Sequence, residues 1–276
     1  MLTVSVVAYK NNRAELQHLI DKILKSTIKD LKLVIVDNSP TDELRSLVSA
    51  NPAIDYIFND GNLGYGSAHN VAIRKYIDTS KYHLVLNPDI SFKADVLSNL
   101  YSYMEQNTDV GLVMPKVLYE DGSIQHLCKL LPTPMDLLFR RFLPFKSLKK
   151  RMNEKYELRF TGYKGAFSAP SLSGCFMFIR TEALKSVGLF DERFFMYMED
   201  LDLSRRIHSK YKTMFYPKVQ IHHGYAKGSY KSFGLLKHHT CSAIKYFNKW
   251  GWFFDKERRM VNEKTLNDLG YYKKEN

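Results

Sequence analysis

The N-terminal part of the chain alternates short strand-like runs with amphipathic segments, and this alternation leaves few architectures open. Leu2-Thr3-Val4-Ser5-Val6-Val7-Ala8-Tyr9, Leu31-Lys32-Leu33-Val34-Ile35-Val36-Asp37, residues 55–59 and Tyr82-His83-Leu84-Val85-Leu86 read as strands. The near-continuous apolar runs among them suit strands buried on both faces. Between them, residues 15–25, 42–50 and 66–77 carry helical spacing. Strand and helix in strict succession imply an α/β fold, a doubly wound and mainly parallel sheet with helices on both faces. Ligands of such sheets collect at the carboxyl ends of the strands, so the residues that close each strand become candidates for chemistry.

Asn87-Pro88-Asp89 closes the fourth strand, where Pro88 stops the ladder. A carboxylate held there can coordinate a hard divalent cation, which in turn can clamp a diphosphate. The triplet also reads as a plain turn. Asn62-Leu63-Gly64-Tyr65-Gly66-Ser67-Ala68-His69-Asn70 has glycines for close backbone approach, followed by a helix whose first N–H groups suit phosphate or ribose oxygens. It lacks the Gly-Lys-Ser/Thr ending of a P-loop and the third glycine of the dinucleotide fingerprint, and a structural turn is its other reading. Further on, Glu199-Asp200-Leu201-Asp202 gathers acids whose mutual repulsion favours raising at least one pKa. The same run also reads as an acidic helix N-terminus answered by Arg205 and Arg206, and Asp202 goes to structure.

The net charge of +12 over 276 residues calls for an acidic partner. No zinc-ligand spacing, aromatic RNA-binding signature or helix-turn-helix pattern favours nucleic acid. Cys128, Cys175 and Cys241 are few, odd in number and far apart, which fits a reducing cytosol. No secretion signal or spanning segment is legible, so the expectation is a cytoplasmic protein, at most peripheral on the inner face of the cell membrane. The basic residues concentrate in the second half among aromatics. Residues 131–150, with Leu137-Leu138-Phe139-Arg140-Arg141-Phe142-Leu143, form a basic amphipathic segment suited to an anionic membrane or to packing on the main domain. Residues 162–170 read as a mobile loop over an acceptor. A C-terminal helical, aromatic and basic extension ends near Trp250, Trp252, Phe253 and Phe254, which resemble an interfacial anchor, a dimer contact or a cap on the fold.

In ordered combination, Val6-Val7-Ala8-Tyr9, Val36-Asp37-Asn38-Ser39, the Asn62–Asn70 loop, Leu86-Asn87-Pro88-Asp89, Ser173-Gly174-Cys175 and Phe194-Phe195-Met196-Tyr197-Met198-Glu199-Asp200-Leu201-Asp202-Leu203 resemble the inverting glycosyltransferases of family 2. The Asn-Pro-Asp triplet and the tail from Ser242 to Trp252 resemble the bacterial rhamnosyltransferase branch. The resemblance implies a GT-A, Rossmann-like domain over residues 1–230, with a nucleotide-binding part to about 115, an acceptor-side part from 116, and the extension at 231–276. It implies that Asp37 receives the base of the donor nucleotide, with Ala8 and Tyr9 lining that pocket. Asn62, Gly64, Asn70 and Asn87 join the nucleotide-sugar site, and Gly174 lies on a loop facing the acceptor or the donor. Asp89 becomes a ligand of Mg²⁺ or Mn²⁺, although Asn87 replaces the first acid of the family's metal motif. Asp200 becomes the general base, with Glu199 its neighbour. A histidine completes the metal shell, His223 by its spacing, with His222 left open by strand alternation. Lys227 faces the donor diphosphate or the leaving group. The implied donor is dTDP-L-rhamnose, with a UDP-hexose or UDP-galactofuranose as alternative, and the implied acceptor is a glycan or lipid-linked glycan. An anionic membrane surface and a homo-oligomer are further partners that it allows. A nucleotidyltransferase is the rival enzyme, but Tyr9-Lys10-Asn11-Asn12-Arg13 has no glycine for a phosphate loop. A non-catalytic glycan- or membrane-binding protein would not need Asp37, Asp89 and Asp200 together.

Overall fold

The computed structural model describes residues 1–48, 51–139, 146–224 and 233–272. Strands β1 (Leu2–Ala8), β2 (Leu31–Asp37), β3 (Ile54–Phe58) and β4 (Tyr82–Leu86) lie in the spatial order β3-β2-β1-β4, all parallel. β1 and β4 are almost wholly buried and β2 is buried from Leu33 onward, as their apolar runs require, while β3 at the sheet edge is buried only at Ile54. Register brings their ends into line: Ala8 pairs with Asp37, Asp37 with Phe58 and Val6 with Leu86. Ala8, Asp37 and Asn87 thereby reach one edge of the sheet.

Beyond β4 the sheet is mixed. The remaining strands are β5 (Ile90–Phe92), β6 (Val110–Leu118), β7 (Phe167–Ser168), β8 (Phe176–Arg180) and β9 (Lys212–His223). The path continues β4-β8-β6-β9-β5, with β8 antiparallel to both β4 and β6, β6 parallel to β9, and β5 and β7 antiparallel to β9. The expected parallel sheet thus holds for the first four strands. After them, β8 arrives without a crossover that would make it parallel to β4. The β5–β9 pairing sets Ile90 opposite His223, which carries His223 to the residue next to Asp89.

Helix α1 (Arg13–Leu24) starts at Asn12, whose side chain accepts from the N–H groups of Ala14 and Glu15. Helices α2 (Tyr65–Tyr76), α3 (Val96–Gln106), α4 (Lys146–Tyr156), α5 (Thr181–Val187) and α6 (Glu199–His208) follow. The helix expected over 42–50 is a short 3₁₀ turn, Glu43–Leu47, which buries only Leu44 and has no side-chain cap. Residues 162–170 are not a loose loop. Tyr163 is buried and its hydroxyl bridges Cys128 and the Glu157 carbonyl, while Phe167 pairs with Phe215 of β9. Within the core, the Ser5 hydroxyl lies 2.7 Å from His69 Nδ1 and 2.8 Å from His83 Nε2, so β1, α2 and β4 share one polar link.

The C-terminal extension folds as α7 (Phe233–Trp250) and α8 (Lys256–Asp268), packed against α6. Tyr246 and Phe247 are buried with Phe194, Met198 and Leu201. Arg205 of α6 makes a buried two-bond contact with Asp255 at 2.7 and 2.8 Å, and its guanidinium lies 3.9 Å from the Trp250 ring. Asp202, fully buried, accepts from Arg206, Lys249 and the Trp250 indole. Trp250 is therefore a cap on the fold, and its anchor reading is withdrawn. Among the described residues no helix is long and apolar enough to cross a membrane.

Candidate active site

Chain ends from both halves of the sheet converge at the carboxyl edge of β1, β2 and β4. Asp89 follows β4, and its Oδ1 lies 3.3 Å from His223 Nε2. His223 is positioned by Gln125, a buried side chain on the strand-like bridge after β6. Gln125 Nε2 donates to the Leu118 and His223 carbonyls, so its Oε1 must face His223 Nδ1, 3.0 Å away. Nδ1 then carries the proton and donates, and Nε2 turns its lone pair toward Asp89, within 3.3 Å of the Asn87 amide nitrogen. A carboxylate oxygen and an imidazole lone pair turned toward one another form a donor set that fits a divalent cation, with the outer hydrogen bond that such histidines usually have. His222, on the other face of β9, is not brought to Asp89. Among the described residues no group of three or more His, Cys, Asp or Glu side chains gathers to hold a metal. Two protein ligands suit a cation that takes its remaining oxygens from a diphosphate and water.

Asp200 opens α6 on the other side of the site. Its Oδ2 accepts from the Gly174 N–H at 2.8 Å and its Oδ1 from the Leu201 N–H at 2.8 Å. A Cβ on Gly174 would stand 3.0 Å from Asp200 Cβ, so the Ser173–Cys175 segment needs glycine there to reach the carboxylate. The two residues before α6, Tyr197 and Met198, both take φ +68, a left-handed conformation that costs non-glycine residues energy and often marks functional segments. Glu199 is buried. Its carboxyl is pushed up to about 8 by burial first and by the charge of Asp200 second, and its Oε2 has no hydrogen-bond partner. The raised acid anticipated in this cluster is thus Glu199.

Tyr65 joins the two sides. Its hydroxyl lies 2.9 Å from Asn87 Oδ1 and 2.6 Å from the Gly174 carbonyl oxygen, one proton between two acceptors. A continuous polar chain therefore runs from His223 through Asn87, Tyr65 and Gly174 to Asp200. Asn87 is not a weakened acid in this chain: its amide accepts from Tyr65 and donates toward His223, a pair of roles that a carboxylate cannot fill. Gly64, at φ +86, lets the loop press on the segment before α6; a Cβ there would meet the Phe195 carbonyl oxygen at 2.2 Å, and Tyr65 N–H donates to that same oxygen. Asn62 accepts from the Gly64 N–H and from Asn38, which holds the loop shut against β2.

The nucleotide side is less open. Ala8 and Asp37 are buried and Tyr9 is exposed. Both oxygens of Asp37 are engaged, by the Ser39 N–H at 2.8 Å and the Tyr56 hydroxyl at 2.6 Å, and burial and that carboxylate raise the Tyr56 phenol well above its ordinary value. Asn70 stands apart from the site: its amide clamps the Phe190 backbone and Glu192, and no part of it is exposed. Its geometry is that of a tie between α2 and the segment after α5, which corrects its assignment to the nucleotide sugar. Lys227 lies outside the described residues. Tyr65 and Gln125 were not singled out from the sequence; Tyr65 sits inside a recognised motif, whereas no local pattern marks Gln125.

The family model for glycosyl transferase family 2 matches residues 3–188. The chain belongs to that family. It is 28% identical over 207 residues to the low-salt glycan biosynthesis hexosyltransferase Agl10 of Haloferax volcanii, an alignment covering 74% of this chain and 61% of that protein. It is 24% identical over 267 residues to the N-acetylglucosaminyl-diphospho-decaprenol L-rhamnosyltransferase of Mycobacterium tuberculosis, covering 88% of this chain and 83% of the relative. The fold matches the crystal structure of GalNAc-T7 with UDP, GalNAc and Mn²⁺ at a TM-score of 0.64 and 13% identity, over 99% of this chain and 58% of that one. The chain therefore spans less than two thirds of the Haloferax relative and of this structural neighbour. Its sheet, flanked by helices, is of the GT-A kind.

Proposed function

We propose that this glycosyltransferase moves L-rhamnose from dTDP-L-rhamnose, with inversion, to a glycan or lipid-linked glycan acceptor in cell-surface polysaccharide synthesis. The observation that carries the reading is the polar chain that ties Asp89 and His223 to Asp200 at one sheet edge. The named activity of the mycobacterial relative supports the sugar and a lipid-diphosphate acceptor.

Asp200 takes the proton of the acceptor hydroxyl as that oxygen attacks the anomeric carbon. The new carbon–oxygen bond forms on the face opposite the nucleoside diphosphate, which departs with the electron pair of the broken bond. Gly174 N–H keeps Asp200 Oδ2 in place during the attack. Asp89 and His223 would hold Mg²⁺ or Mn²⁺, which compensates diphosphate charge when bound. Asp37, Ala8, Tyr9, Asn62 and Gly64 shape the nucleotide pocket, and Lys227 pairs with the diphosphate. The division into a nucleotide part to about 115, an acceptor part to 230 and the extension beyond belongs to the same proposal.

The test is nucleotide release by purified protein from dTDP-, UDP- and GDP-sugars with a polyprenyl-diphospho-sugar acceptor, with and without EDTA, beside Asp89→Ala. Release from dTDP-rhamnose that EDTA and Asp89→Ala both abolish is the expected result. Release only from a UDP-hexose or UDP-galactofuranose overturns the donor, and release indifferent to EDTA overturns the metal.

A further inference from the structure

The turn between α7 and α8 is firmly built, yet it presents its largest apolar side chains to water. Phe253 is 77% exposed and Phe254 97%. Their backbone is not loose: the buried Arg258 guanidinium donates to the carbonyls of Gly251, Trp252 and Phe253 at 3.3, 3.1 and 3.4 Å. Asp255 caps α8 through the Arg258 N–H and grips Arg205 with the same carboxylate. A rigid tip of this kind exposes apolar surface that nothing within the described residues covers, and exposed apolar patches with polar rims mark interaction sites.

The surroundings indicate the kind of partner. Lys256 and Met260 stand one turn apart on the exposed face of α8, with Met260 64% exposed and Arg259, in a solvent-exposed pair with Glu263, beside it. From the other side, the Pro132 carbonyl accepts from Arg258, and the Leu131 backbone is held by the Asn262 amide. The start of the basic amphipathic segment, with Met135 50% exposed, is thereby joined to the same tip. Two segments far apart in sequence are thus tied to α8 beside the exposed tip.

We propose that Phe253 and Phe254 insert into the interfacial layer of an anionic bilayer, with Lys256 and Arg259 on the headgroups. Aromatic rings favour that layer, and each cation near an anionic leaflet adds attraction. A second copy is the poorer fit, since a two-fold contact would bring Lys256 and Arg259 against their own counterparts in a chain of net charge +12. Because the tip is tied through Arg205 and Trp250 to α6, docking would hold the helix bearing Asp200 at a fixed height over the lipid. No step of sugar transfer enters this inference.

Sedimentation of the full chain with phosphatidylglycerol/phosphatidylcholine vesicles, and with phosphatidylcholine alone, tests it. The wild type is expected to bind the anionic vesicles. Phe253→Ser/Phe254→Ser should weaken that binding about tenfold or more at an unchanged melting temperature, and Lys256→Glu/Arg259→Glu should weaken it as well. Wild type that ignores anionic vesicles overturns the proposal, and so does a double phenylalanine variant that binds them equally. A concentration-dependent dimer that the phenylalanine variant dissolves, without vesicle binding, would replace the bilayer with a second copy.

Discussion

Glu199 and Asp200 are neighbours in sequence with different surroundings, and the difference assigns them different work. Glu199 is buried with its carboxyl raised to about 8, whereas Asp200 meets two backbone N–H groups and abuts the Ser173–Cys175 segment. Asp200→Asn should lower kcat about 10²- to 10⁴-fold at unchanged donor affinity, the range expected on removing a general base. Glu199→Gln keeps a neutral side chain and should cost less than about tenfold in kcat at pH 7. Its signature lies in stability. A carboxyl whose folded pKa exceeds its unfolded value near 4.5 contributes fully below 4.5 and loses that contribution as pH rises toward 8. In urea denaturation, the stability difference between the wild type and Glu199→Gln should show this decline between pH 5 and 8, on the order of 1 kcal/mol per pH unit. Tyr65 tests the link between the metal side and the base side. Tyr65→Phe should lower kcat roughly tenfold, the equivalent of about 1.4 kcal/mol at the transition state, with donor KM within about threefold of wild type. A variant with full kcat and a lowered melting temperature would confine the hydroxyl to a structural role.

At the scale of elements, the C-terminal pair α7 and α8 acts as a buttress for α6. The contact is electrostatic at its centre: Arg205 and Asp255 have side chains only 2% and 3% exposed, with Trp250 stacked over the guanidinium. Arg205→Ala would strand a buried carboxylate and should cost about 3–5 kcal/mol in urea denaturation. Arg205→Met/Asp255→Leu should recover part of that loss, because it removes the stranded carboxylate, although Arg258 loses its partner 3.9 Å away and α8 its cap; a double variant as unstable as Arg205→Ala would assign the cost to the cap, to Arg258 and to packing. The first four strands and α1 and α2 were legible because burial on both faces and amphipathic spacing are local signals. Residues 42–50 carried that spacing without the caps and buried face that sustain a helix. Residues 162–170 looked mobile from glycine and serine, while the burial of Tyr163 and Phe167 depends on β9, nearly fifty residues away. Ordered motifs drew attention to Asp89, Asp200 and Gly174, and the structure sets Asp89 beside His223 and Asp200 on the Gly174 N–H. Gln125 was not legible, because its meaning lies in a contact with His223 98 positions on, and Asn70 was misassigned because its partners at 190–192 are equally remote.

Over the whole molecule, several wholly or partly buried imidazoles stay neutral in the folded protein. His69 and His83 meet Ser5 beneath the site, and burial pushes the His83 imidazole down to about 3 and that of His69 well below its ordinary value. Burial also lowers His208, to about 4, and His126. All four move in the same direction, so their effects on stability add. A histidine whose folded pKa lies below its unfolded value of about 6.5 contributes fully above 6.5, where both states are neutral. As pH falls below 6.5 the unfolded chain takes up protons that the folded chain refuses, and stability declines until the folded pKa is reached. The paired carboxylates begin to titrate only lower, since Asp55 is held at about 2 by Lys32, Lys75 and Tyr76 against the opposing effect of burial. Between pH 6.5 and 5 the histidines should therefore lower stability, with a limiting slope of about 1.4 kcal/mol per pH unit for each, against the opposite trend of the single raised carboxyl of Glu199. Calorimetric or urea titration across that range checks the sum, and His83→Asn, which keeps a polar partner for Ser5, should reduce the slope by about the share of one histidine. An unchanged slope in that variant would mean that His83 takes up its proton in the folded protein, and that the link between β1 and β4 tolerates the charge.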